Sequence, residues 1–324
     1  MTELLENMSQ PHDPGPAAAG VAHTADGAHQ GFDAGETIID HVSNSSIEHP
    51  LIELPTVLGV NLSVTKHVFM LWLVAAFVFV VVTWLVRRHL RTGRQAPTGA
   101  FNGLEYLVEF IRDSIVLPNV GKKWVGTWTP LMLTLFMFIF CANAIGLIPV
   151  FDVLGLLNHW VIHPSEGSFV GSVVHGGTTA TANYNVTAAL ATITFASIIV
   201  AGTRAHGFVA HWRNLVPSGL AWPVYILLIP VEVMGMFVKP FALTMRLAAN
   251  MLGGHIAILA ILSFVFLFTE MFGQAFAGIG VGLAVSVPLA VGISALEIIV
   301  VIVQAYVFTL LSAVFIGMAI NVHH

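Results

Sequence analysis

Long apolar runs alternate with short polar breaks, and the breaks set out the organisation of the chain. Val68 to Val86 carries no charge over about 19 residues, enough for one bilayer-spanning helix at about 1.5 Å per residue. Leu131 to Val150 and Val186 to Thr203 predict two more spans; Asn143 is the polar residue inside the first of these and Pro149 closes it. From 220 to 269 the chain is nearly continuously apolar, broken only by Pro223, Pro230, Pro240 and Gly253-Gly254. As one helix it would reach roughly 75 Å against about 30 Å of hydrocarbon, so it must tilt steeply, kink or span twice. Residues 275 to 320 repeat the problem at roughly 70 Å, with Pro288 in the middle. Gly278, Gly282 and Ser286 recur there every four positions, a spacing that permits close helix contact.

Phe101 to Leu117 differs in kind. Leu104, Leu107, Val108, Ile111 and Ile115 fall on one helical face, while Asn102, Glu105, Glu109, Arg112 and Asp113 occupy the other. This predicts an amphipathic helix at the membrane interface, in preference to a helix of a small soluble subdomain, for which no other core exists. The expected fold is therefore all-α and membrane-integral, with about five traversing helices, two of them long and strongly tilted, plus one interfacial helix.

Composition agrees. Hydrophobic residues make up 56% and charged residues 9%, a balance foreign to water-soluble domains. Cys141 is the single cysteine, which rules out an intrachain disulfide. Residues 1–66 stand apart, with nine acidic residues against Lys66 alone and His12, His23, His29, His41 and His49 scattered without ligand spacing. They predict a largely disordered, solvated tail with no obvious targeting signal. Arg87, Arg88, Arg91 and Arg94 follow the first span, and Arg204, His206, His211 and Arg213 the third. The positive-inside rule then puts the N-terminus outside and the C-terminus in the cytoplasm. The expected division is a tail over 1–66, first span, interfacial helix and second span over 67–150, an outside loop over 151–185, and the remaining helices over 186–324.

Few polar groups interrupt the long segments. Arg246 sits among Phe, Leu, Met and Ala, with no carboxylate between Lys239 and Glu270. A guanidinium cannot shed its proton, and at mid-bilayer it costs about 2.5–3.5 kcal/mol or more. If the helix is continuous, Asn250 lies about 40° and Lys239 about 20° from Arg246, and His255 about 180° away. Glu297 and Gln304, seven apart, share a face of the last segment. Two polar sites follow: an Arg246 face toward an external partner, and an aqueous route lined by His255, Glu297 and Gln304. A Glu297–His255 buried pair, compensation of Arg246 by Glu297, and Asn143, Asn250 and Gln304 as interhelical hydrogen-bond links are the competing arrangements. Glu270 reads as an interface residue at the end of its segment.

The run LTMRLAANMLGGH resembles the most characteristic motif of the a subunit of rotary F-type ATP synthases. Glu232 fourteen residues before Arg246, Lys239-Pro240, the NAIGLIP run from Asn143, and Glu297 with Gln304 are similar to the family as well. The resemblance covers roughly residues 67–324 and implies a non-catalytic stator in a bacterial inner membrane, beside a ring of c subunits and peripheral-stalk b subunits. It would conduct protons through two offset half-channels and need no cofactor, metal or nucleic acid. Arg246 would match the arginine that faces the ring carboxylate. Asn250, His255, Glu297 and Gln304 would line the half-channel opening outside, and Glu232 would lie on the cytoplasmic exit. Some bacterial members carry Glu where this chain has His255 and His where it has Glu297; the exchange keeps an acid and an imidazole. The tail and the 151–185 loop are longer than the family pattern expects. The competing class is a secondary transporter binding a small anion at an Arg/Glu/His site, although the two halves show no internal repeat. A membrane assembly scaffold is a third class and leaves the buried charges unexplained.

Overall fold

The computed structural model describes residues 35, 63, 65–93, 96–147, 180–213, 222–272 and 275–321. Almost all of the acidic tail and the 151–179 part of the predicted loop lie outside the described residues. Those described are helical throughout their ordered elements, and five helices are long and apolar enough to cross a membrane. In chain order they are α1 (Lys66–Thr92), α4 (Val125–Leu147), α5 (Tyr184–His206), α7 (Trp222–Phe272) and α8 (Ala275–Ile320). Shorter elements join them: α2 (Ala100–Phe110), a π-helical turn (Ile111–Val116), α3 (Leu117–Val120), a 3-10 turn (Ala180–Ala182) and α6 (Phe208–Arg213).

The ambiguous 220–269 and 275–320 stretches are each one unbroken helix, of 51 and 46 residues. Pro230 and Pro240 lie inside α7 and Pro288 inside α8. Each proline removes a single backbone hydrogen bond, whereas a break in apolar surroundings would strand several backbone groups at once. Thr244 Oγ1 bonds the Pro240 carbonyl at 3.0 Å within the same stretch. Helices this long cross a bilayer only if strongly inclined or if they protrude from it.

α7 and α8 run antiparallel. The Gly282 position abuts the Val265 backbone, Gly254 abuts the Glu297 carboxyl, and the Lys239 ammonium lies 5.6 Å from the Phe315 ring centre. α4 and α5 pack on this pair, with Met132, Leu135, Ile139, Leu190, Ile198, Leu243, Leu247, Met251, Val301 and Phe308 in one core. Thr194 and Ser312 hydroxyls meet at 3.1 Å, tying α5 to α8.

The amphipathic segment keeps its predicted faces: Leu104, Leu107 and Val108 are half-buried, and the apolar side becomes fully buried only at the π-helical turn that follows. The π-helical turn adds a residue to the turn, so Ile111, Ile115 and Val116 all point into the core and are fully buried. Arg112 and Asp113 stay exposed and paired at 2.8 Å; the guanidinium holds the Asp113 carboxyl below its usual range, and exposure keeps the pair's contribution small.

The last helix is held at its end by this segment. Asn321 Nδ2 donates to the Asn119 carbonyl at 3.1 Å, and His206 Nε2 lies 2.8 Å from the Ile320 carbonyl. A Cβ added at Gly317 would stand 2.4 Å from the Asn119 carbonyl oxygen, a backbone atom that cannot swing aside. Gly317→Ala is therefore expected to destabilise the fold by about 1–3 kcal/mol, the usual overpacking range. The check is thermal unfolding of the purified protein in detergent; an unchanged midpoint would refute the close approach.

Candidate functional site

Residues on α7 divide by burial. Leu243, Leu247, Ala248 and Met251 are buried against the bundle, while Arg246 and Asn250 are exposed on the other side. Phe237, Val238, Phe241 and Met245 are exposed around them, so Arg246 opens onto an apolar surface. It makes no hydrogen bond or ion pair with any described residue. Glu297 does not compensate it, because Glu297 points inward from α8. Lys239, expected on the Arg246 face, is half-buried and reaches back to the Phe315 ring. The attraction of an ammonium for a ring face accounts for that choice. Glu232 is half-buried on α7, fourteen residues or about 21 Å along the helix from Arg246.

Glu297 and Gln304 form the inward counterpart. Glu297 is 3% exposed and Gln304 is also buried. Neither carboxylate oxygen of Glu297 has a hydrogen-bond partner among the described residues, which sets aside a hydrogen-bonded Glu297–His255 pair. Gly254 is what lets the acid in: a Cβ there would be 2.6 Å from Glu297 Oε1. His255 follows it and is half-buried. The contacts of 254 with 297 and of 239 with 315 define a register that puts Gln304 beside residues 247–250, the level of Asn250. Outward Arg246 and Asn250 and inward Glu297 and Gln304 thus flank one short stretch of α7. If Glu297 carries protons as the family resemblance implies, Gly254→Ala should push the carboxyl aside and lower proton conduction about tenfold without loss of assembly, an effect measurable by fluorescence quenching in vesicles. Wild-type conduction would show that the position of the acid is immaterial.

Asn143 is fully buried on α4 and accepts a short hydrogen bond from the Thr181 hydroxyl in the 3-10 turn, and its amide Nδ2 has no partner among the described residues. Thr181 escaped sequence reasoning because it lies in a Gly- and Thr-rich stretch with no periodicity. Gly254 was legible only as an interruption, since its role depends on a neighbour 43 positions away.

A bundle of membrane-length helices, with an arginine facing out of it unpaired among the described residues and a buried acid inside, defines a polytopic membrane protein built around charge. The ATP synthase A chain family matches residues 68–317. ATP synthase subunit a 2 of Chlorobium luteolum is 39% identical, covering 92% of this chain and 79% of the relative. The protein of the same name from Prosthecochloris aestuarii is 37% identical over 93% and 83% of the two chains. ATP synthase subunit a of Pelodictyon phaeoclathratiforme is 35% identical over 98% and 86%. The chain belongs to the ATP synthase A chain family.

Proposed function

We propose that this chain is the proton-conducting stator of an F-type ATP synthase membrane sector, working against a ring of c subunits. The observation that carries the reading is the outward Arg246 on an apolar face, without a partner among the described residues. A permanent charge so placed is costly toward lipid and favourable toward an opposing carboxylate. Membership of the family supports a ring c subunit as the carrier of that carboxylate.

A ring carboxylate crossing lipid is neutral, because the anion is expensive there. Beside Arg246 it is favoured as an anion, since an opposite charge within about 4–6 Å lowers an acid's pKa by 1–3 units. A proton therefore leaves the ring on one side of Arg246 and is regained on the other. Glu297, Gln304, His255 and Asn250 serve the half-channel opening outside, with Asn143 and Lys239 supporting it, and Glu232 serves the cytoplasmic exit. Each charge moved through 100 mV supplies about 2.3 kcal/mol, so rotation must gather several protons per ATP. The chain itself does no covalent chemistry. It sits in a bacterial inner membrane among lipid, with its N-terminus and 151–185 loop outside, its C-terminus in the cytoplasm, and the peripheral-stalk b subunits as further partners.

Reconstituted vesicles test this. Proton uptake driven by a potassium-diffusion potential should appear with the assembled complex and not with the purified chain alone. Substrate-coupled uptake by the chain alone would instead identify a secondary transporter.

A further inference from the structure

Between Glu297 and the start of α8, the described side chains include one more that is polar and buried. Ser286 is fully buried, and its hydroxyl has no hydrogen-bond partner among the described residues. It lies eleven residues before Glu297 and eighteen before Gln304, so the three fall within about 20° of one helical face. That face is the one turned to α7: Gly282 meets the Val265 backbone and Glu297 meets Gly254. Val285, Val287, Leu289 and Val291, on the other sides of the helix, are exposed.

Close packing explains Gly282 and Ala290 on this stripe, but it gives no reason for a hydroxyl at 286, where alanine would pack as well. A buried hydroxyl and a buried carboxyl, both without protein partners, are groups that ordered water satisfies. A further acceptor lies on the same seam. Thr269, one turn beyond Val265 on α7, donates its hydroxyl proton to the Val265 carbonyl at 2.7 Å and keeps lone pairs to offer. Ser286 and Glu297 are about 16 Å apart along α8, too far for direct transfer but within reach of a short chain of waters.

We propose that water reaches Glu297 along the α7–α8 seam past Ser286, whose hydroxyl positions it as an intermediate station of the proton route. The inference rests on the half-channel reading of Glu297 and adds a residue and an entry path to it.

Silver-ion protection of engineered thiols in the assembled complex in vesicles is the test, in a Cys141→Ala background that removes the native cysteine. Ser286→Cys should be shielded at least tenfold from later maleimide labelling. Val287→Cys, on an exposed side of α8, should not. If Glu297→Cys is protected and Ser286→Cys is not, water enters by another path and this inference alone fails. If neither is protected, the reading of Glu297 fails with it. Ser286→Ala, which preserves packing, should slow proton conduction several-fold in a complex that still assembles; an unchanged rate would also overturn the assignment.

Discussion

Arg246→Ala abolishes ATP synthesis driven by an imposed proton gradient, while the complex still assembles: this is the largest effect expected of any single substitution. The side chain faces out of the bundle and fills no core position, so its loss leaves Leu243, Leu247 and Met251 packed as before. In the proposed mechanism, what disappears is the fixed positive charge that favours ionisation of the opposing carboxylate and stops protons passing directly between the half-channels. Arg246→Lys should fail as well, because an ammonium can deprotonate where a guanidinium cannot, and because it lacks the planar fork. Synthesis measured in membrane vesicles, with co-purification as the assembly control, decides the matter. Retained synthesis in the alanine variant would remove the ground for the proposed function.

Glu297→Gln is expected to reduce proton conduction by at least tenfold with little change in thermal stability. Glutamine fills the same space against Gly254, so packing is preserved, but an amide cannot take up and release a proton near neutral pH. Glu297→Asp keeps the acid and withdraws it by one methylene, and should fall between the two. A glutamine variant conducting at the wild-type rate would mean that the buried carboxyl is a packing feature and that protons travel elsewhere.

Much of this organisation was legible from spacing alone. Three spans and the amphipathic stretch followed from length and period, and Arg246 announced itself as a charge in an apolar run. The two long helices were expected, but whether they kink or span twice was left open at Pro230, Pro240 and Pro288; the cost of exposing backbone in apolar surroundings, set against one missing hydrogen bond each, decides for unbroken helices. Helical angles separated Arg246 from His255, yet they could not say what faces Glu297. That depends on the register between two helices, and Gly254 gives no sign of it locally. Lys239 shows the same limit: its angle placed it with Arg246, and the Phe315 ring drew it back across to α8. The π-helical turn left no signal either, since its extra residue only makes sense once Ile115 and Val116 are both seen to be buried.

The unbroken course of α7 and α8 has a mechanical side. In the proposed stator role, a rotor pressed past Arg246 would push back with an equal sideways force, and a wall of short helices joined by loops would yield at its joints. Two continuous rods have no joint at that level. Their lateral give is set by bending and by how their ends are fastened. The end of α8 is fastened twice, by Asn321 to the Asn119 carbonyl and by the Ile320 carbonyl to His206, with Gly317 seated on the Asn119 backbone between them. Loosening that anchorage would let the wall lag behind the ring under load, so that protons slip through without driving a full step of rotation.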